Sequence, residues 1–355
     1  QWYPTSTAGC VLLTSIKILQ TINNNPVYYA PMIENLIAIF AGIALLVWSA
    51  DRFVLGAAAT AEQLNVSPLV IGLVIMGFGT SAPEMMVSSL AAFEGSPGIG
   101  IGNAIGSNIA NIALVLGVTA MIMPITVRSK ILKREFPLLL IVTAGCGVLL
   151  LDYSLGRMDG IILFSSLILL MAWLIHSNRE KAGDDSFPPE IEDEIDHDLS
   201  LKAAILWTLV GLVVLLLSSR LIVNAAVEIA IAFEISELVI GLTIIAIGTS
   251  LPELAASITA ARKQEHDMAI GNIIGSNLFN ILGVLALPGL ILPSTIDAEV
   301  LSRDYLIMAG LTVMLYLMST LFKSDKKSIG RIEGAILLSC FGGYLWLLFE
   351  QTIHI

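Results

Sequence analysis

The sequence predicts an all-α integral membrane protein of ten transmembrane helices, built as two inverted-topology five-helix repeats. Three observations carry this reading. Of the 355 residues, 56% are hydrophobic and 13% charged, and the mean hydropathy is +0.87, whereas a soluble domain carries about 25% charge. Ten apolar runs approach or exceed the length of about 18 residues that spans a bilayer. Finally, one polar phrase is written twice inside apolar sequence, as GFGTSAPE at Gly77–Glu84 and AIGTSLPE at Ala246–Glu253. A second phrase follows each copy, GNAIGSNIANI at Gly102–Ile112 and GNIIGSNLFNI at Gly271–Ile281. Glu84 and Glu253 stand 169 residues apart, as do Asn111 and Asn280, and about half the positions from Asn65 to Gly117 recur with no gap. Alternating ten-residue strands are absent, which argues against a barrel.

Taken in order, residues 1–31 form an N-terminal segment with one short apolar run, Cys10–Leu19, and no basic leader region. The first repeat occupies 32–176, with spans at 33–56, 68–92, 99–123, 136–152 and 158–176. Residues 177–200 form an acidic cytoplasmic linker, whose run GDDSFPPEIEDEIDHD at Gly183–Asp198 carries much of the net charge of −11. Its proline pair and like charges read as a solvated connector, and its spacing does not fit an EF-hand loop. The second repeat occupies 201–352, with spans at 201–223, 237–261, 268–292, 304–322 and 329–350. Cys10, Cys146 and Cys340 are scattered and suggest neither a disulfide framework nor a zinc site.

Five spans per half is an odd number, so the second half sits upside down relative to the first. Loop charges agree. Arg128, Lys130, Lys133, Arg134, Arg179, Lys181, Lys202, Arg262, Lys263, Lys323, Lys326, Lys327 and Arg331 fall on one side, against Lys17, Arg157 and Arg303 on the other. The positive-inside rule makes the first side cytoplasmic and leaves both termini outside. Matched loop positions reverse sign: Arg128 and Lys130 align with Asp297 and Glu299, and Glu94 aligns with Lys263. The compactness of the chain points to a plasma membrane or bacterial inner membrane.

A carboxylate at mid-bilayer costs about 2.5–3.5 kcal/mol on insertion scales and marks an ion or substrate pathway. Inverted repeats place such sites where the halves meet. In each copy proline removes an N–H and loosens the helix, freeing carbonyls near Gly79–Thr80 and Gly248–Thr249. Backbone oxygens, Thr and Ser hydroxyls and one Glu per copy make an oxygen nest suited to hard cations such as Ca²⁺. Neither motif holds His or Cys, which argues against zinc, copper or iron. Asn103, Ser107 and Asn111 share a helical face, with Asn272, Ser276 and Asn280 as counterparts. Ser107, Asn111, Ser276 and Asn280 are candidate ligands, while Asn103, Asn272, Asn108 and Asn277 serve equally as interhelical glue. Gly98, Gly102 and Gly106, with Gly271 and Gly275, read as close-packing faces. Asp51 and Arg52, and Arg220 with Glu228, read as structural charges, paired or near the interface.

At these motifs the chain resembles the calcium/cation antiporter superfamily, specifically the sodium/calcium exchangers and their bacterial relatives, over about residues 33–350. The resemblance implies Ca²⁺ and Na⁺ as transported ions competing for overlapping midplane sites, with no organic cofactor and no nucleic-acid partner. By motif position, Glu84 and Glu253 would bridge the cations and the carbonyls of Thr80 and Thr249 would complete a Ca²⁺ cage. The carbonyls of Gly77 and Ala246, with Ser81, Ser250, Ser107 and Ser276, would serve Na⁺. Asn111 and Asn280 would line the central position. Some members carry Asp where this chain has Asn280, and an acid there accompanies K⁺ dependence, so Asn280 favours K⁺ independence. Three alternatives stay open. These are proton coupling through the two glutamates, a passive Ca²⁺ channel, and an intramembrane acid–base enzyme, against which stands the lack of an evident nucleophile. No oligomeric state is read from the chain, and a monomer is compatible with it.

Overall fold

The computed structural model describes residues 26–64, 66–127, 129–179, 199–233, 246–321 and 328–353. The Cys10–Leu19 run, the acidic linker's Gly183–Asp198 and the start of the 237–261 span lie outside these described residues. Among the described residues, the regular structure is helical apart from four two-residue strands. Helix α1 runs Pro26–Gln63, α2 Pro68–Thr80, α3 Ala82–Phe93, α4 Pro97–Ile122, α5 Ser129–Leu149 and α6 Arg157–Arg179. The second half brings α7 Leu201–Ala232, α8 Ala246–Thr249, α9 Leu251–Arg262, α10 His266–Ile291, α11 Leu306–Leu321 and α12 Arg331–Ile353.

Among the described residues, seven helices are long and apolar enough to cross a membrane, and an eighth if α2 and α3 count as one bent span. Two expected spans fall short for local reasons. Helix α5 is 21 residues long, but Lys130, Lys133, Arg134 and Glu135 crowd its first two turns. Helices α8 and α9 are short, and the residues ahead of them, 234–245, lie outside the described set.

Helices α1 and α7 exceed their expected lengths and pack along each other. Trp48 and Trp207 meet edge to face at 6.3 Å, and a Cβ on Gly211 would lie 2.7 Å from Phe53 Cα, so the backbones touch there. Helix α10 sits at the centre and is buried on all sides, with every residue from Met268 to Phe279 buried, its polar Asn272, Ser276 and Asn277 included.

Two antiparallel ladders tie the halves together. Strand β1, Ile125–Thr126, follows α4 and pairs with β4, Ser328–Ile329, which precedes α12. Strand β2, Ser154–Leu155, precedes α6 and pairs with β3, Ser294–Thr295, which follows α10. Each half therefore lends a strand to the other.

The 169-residue correspondence reaches into backbone detail. After α3, Ser96 N–H donates to Ala91 O at 2.8 Å and Gly95 takes φ +86°. After α9, Glu265 N–H donates to Ala260 O at 2.9 Å and Gln264 takes φ +62°. Both are Schellman ends, one with the glycine such an end prefers and one without it. Arg134 bonds its neighbour Glu135 at 2.7 Å, and the matched Arg303 bonds Asp304 at 2.8 Å.

Candidate cation site

The site is built where α2 and α3 face α8, α9 and α10. Pro83 and Pro252 each enter at the second residue of a helix, where a missing N–H costs nothing. The helix breaks ahead of them, with a 41° bend between α2 and α3. Glu84 and Glu253 thereby stand in the first turn of α3 and α9, where the N-terminal helix dipole favours negative charge. Both are 1% exposed, and the two carboxyl groups are close enough to interact electrostatically. Ser81 Oγ donates to Glu253 Oε1 at 3.4 Å, crossing from one half to the other.

Matched hydrogen bonds hold the two acids in place. Asn103 Nδ2 donates to Glu84 O and to Ser88 Oγ, both at 3.0 Å. Asn272 Nδ2 donates to Glu253 O at 3.3 Å and Ser257 Oγ at 2.9 Å. Thr80 Oγ1 donates to Met76 O at 3.0 Å and lies 3.3 Å from both Asn272 Oδ1 and Ser276 Oγ. Asn103 and Asn272 thus act as glue between helices. Asn108 and Asn277 do not: each turns back to its own helix, onto Ala104 O and Ile273 O.

Asn111 and Asn280 behave differently. They lie in π-helical stretches, Ala110–Leu116 and Asn280–Val284, that interrupt α4 and α10 at matched depth. Such wide turns recur at functional sites. Both side chains are buried, and neither amide oxygen or nitrogen has a partner among the described residues. The same holds for Glu84 Oε2, Glu253 Oε2 and Ser250 Oγ. Each such buried polar atom costs about 1–3 kcal/mol when unmatched, and native proteins match nearly all of them. Four of these five residues correspond across the two halves, and buried oxygens without protein partners are groups that a bound cation would satisfy.

The remaining expected residues divide. Thr80, Ser81 and Ser276 are buried within this hydrogen-bonded set, Ser107 is buried on α4 one turn before Asn111, and Thr249 is half-buried. Gly77 O accepts Ser81 N–H at 3.2 Å. A Cβ on Gly77 would sit 2.8 Å from Gly275 C, so Gly77 and Gly275 are a contact between backbones. Ala246 opens α8, and its side chain lies outside the described set. Gly248 O, one of the carbonyls expected to be free, accepts Ser219 Oγ at 2.8 Å. Around Gly98, Gly102 and Gly106 no described atom stands within 4 Å of an added Cβ.

Arg220 and Glu228, read as paired or near the interface, form no ion pair with each other among the described residues. Arg220 Nη2 contacts Met86 Sδ at 3.0 Å, Asp51 pairs with Lys263 at 2.7 Å, and Arg52 stacks over Trp207 at 5.3 Å. Sequence reading also passed over Ser88, Ser257 and Ser219. The first two carried a signal, since both follow the glutamate by four residues at the 169-residue offset.

The comparisons with known proteins bear on the family. The family model described as sodium/calcium exchanger protein matches residues 34–176 and 203–350. The inner membrane protein YrbG of Escherichia coli is 43% identical over 88% of this chain and 95% of its own length. The sodium/calcium exchanger MaX1 of Methanosarcina acetivorans is 30% identical over 89% of this chain and 98% of its own. A solved structure of the sodium-calcium exchanger NCX_Mj, soaked with Na⁺ and Sr²⁺, superposes with a TM-score of 0.75 at 33% identity, covering 87% of this chain and 97% of that one. By its paired motifs, its family match and its fold, the chain belongs to the sodium/calcium exchanger family.

Proposed function

We propose that this protein exchanges Ca²⁺ for Na⁺ by alternating access, through ten spans arranged as two inverted repeats. The observation that carries the reading is the pair of buried glutamates, one from each half, together with the buried oxygens of Ser250, Asn111 and Asn280, which have no partner among the described residues. Two carboxylates balance one Ca²⁺. The same oxygens suit Na⁺, but Ca²⁺ and several Na⁺ together would leave excess positive charge in a medium of low dielectric, where repulsion is severe. Occupancy is then mutually exclusive, and rocking of one helix group against the rest turns that exclusion into antiport. With Asn at both 111 and 280, the core holds no third acid, and exchange proceeds without K⁺.

The test is uptake of ⁴⁵Ca²⁺ into proteoliposomes. An outward Na⁺ gradient at clamped pH drives accumulation, and added K⁺ leaves it unchanged. Accumulation that needs a proton gradient and ignores Na⁺ would overturn the sodium assignment in favour of proton coupling. Flux that needs no counter-ion would favour a channel.

A further inference from the structure

Four charged residues outside the cation site form a pattern that pairs across the repeat. Asp51 on α1 bonds Lys263 at the end of α9 at 2.7 Å. Adding 169 to Asp51 gives Arg220 on α7, and subtracting 169 from Lys263 gives Glu94 at the end of α3. Both members have changed sign, so an attractive pair in one setting maps onto an attractive pair in the other. A loop lysine exchanged for a loop glutamate follows from the two loops facing opposite sides of the membrane. No such rule acts on a residue within the long helices α1 and α7, so the matching reversal of Asp51 to Arg220 reads as a device that keeps the attraction.

Only one of the two pairs is made in this structure. Arg220 contacts Met86, eight residues before Glu94, which is about 12 Å along a helix at 1.5 Å per residue. Glu94 is exposed and is in no ion pair among the described residues. The packing differs in the same sense. Helix α1 lies closely on α9, whereas α7 touches α3 far less. Met86 and Leu90 on α3 are 46% and 52% exposed, while their counterparts Ala255 and Thr259 on α9 are half-buried. Helices α1 and α7 pack on one another, and no strand of either ladder adjoins them.

We propose that Asp51–Lys263 and Glu94–Arg220 are two charge-swapped latches, closed in turn at opposite ends of the α1–α7 pair, and that their alternation positions the two access states. This rests on the antiport reading. The closed pair is partly solvated, its side chains 41% and 31% exposed, and such pairs shift an equilibrium by only a factor of a few. That weakness suits the role, because a carrier whose two states differ greatly in energy spends its time in one of them. Matched latches cancel.

The experiment uses the full chain with Cys10, Cys146 and Cys340 replaced by Ser, reconstituted in vesicles, carrying either Asp51→Cys with Lys263→Cys or Glu94→Cys with Arg220→Cys. A short bifunctional thiol reagent links both pairs in the active population, each link stops exchange, and a four-cysteine chain never acquires both links in one molecule. Ion conditions that raise one link lower the other. As an independent readout, Lys263→Asp lowers exchange about fivefold, the scale of one exposed ion pair, and the double swap with Asp51→Lys restores it. Intact Na⁺-driven exchange with no link between positions 94 and 220, or both links in one molecule, overturns the latch alone. Loss of counter-ion dependence in the parent chain overturns the antiport reading instead.

Discussion

The two halves agree where they touch the candidate ions and differ where they meet the long helices. Glu84 with Asn103 and Ser88 is reproduced by Glu253 with Asn272 and Ser257, and the π-helical asparagines correspond as well. Away from the centre, α9 is covered by α1, while the matching side of α3 is exposed at Met86 and Leu90. Under the antiport reading proposed above, symmetry belongs to the chemistry and asymmetry to the access state: a site shared by two access routes has to look alike from both, whereas the routes themselves cannot be open together.

Substitutions at paired positions break or sharpen this comparison. The largest effect is expected at the acids. Glu84→Gln and Glu253→Gln should each lower ⁴⁵Ca²⁺ uptake by about two orders of magnitude or more while leaving the melting temperature of the purified protein nearly unchanged, since an amide keeps the volume and loses the intramembrane charge. Unequal losses would show that the halves share the cation unequally. Next comes Gly275→Val, whose Cβ would stand 2.8 Å from Leu73 Cα and whose branches have nowhere to go. A drop in folded yield and a loss of about 3 kcal/mol or more on unfolding are expected, as for overpacking against backbone.

A smaller and unequal pair is Asn272→Ala against Asn103→Ala. Both remove bonds to a glutamate carbonyl and a serine, but Asn272 is wholly buried and also meets Thr80, whereas Asn103 is half-buried. Thermal unfolding in detergent should show about 2–3 kcal/mol lost at Asn272 and about 1 kcal/mol at Asn103, in line with the penalty for stranding buried partners. Equal losses would mean that burial does not separate the two halves here. The smallest effect belongs to the Schellman ends. Gln264→Gly should stabilise by about 0.5–1 kcal/mol, because φ +62° strains a side chain that glycine lacks.

Much of this was legible in the sequence, for identifiable reasons. A carboxylate within an apolar run announces itself, and its recurrence at a fixed offset located the partner in the other half. Helical spacing offered a glue role to Asn272 and Asn277 alike, and only Asn272 takes it. Other features were hidden because they depend on distant pairings or on subtle backbone shape. Nothing local in Ile125–Thr126 or Ser328–Ile329 marks two residues as strands, since neither pairs within its own half. The π-turns at Asn111 and Asn280 leave no composition signal. Asp51 looked ready to pair with its neighbour Arg52, yet Lys263 from the other half claims it and Trp207 takes the arginine. The charged opening of α5 hid its full extent, because Glu135 is buried despite its charge.

The exchanged strands also bear on how the chain is made. When Thr126 leaves the ribosome, its ladder partner Ser328 is still about 200 residues from being synthesised. Strand β2 likewise waits for β3. Neither half can finish its own architecture during translation, so the first half must persist in the bilayer with open edges until the second arrives. A gene encoding only one half would therefore yield a product missing both of its clasps, however complete its helices.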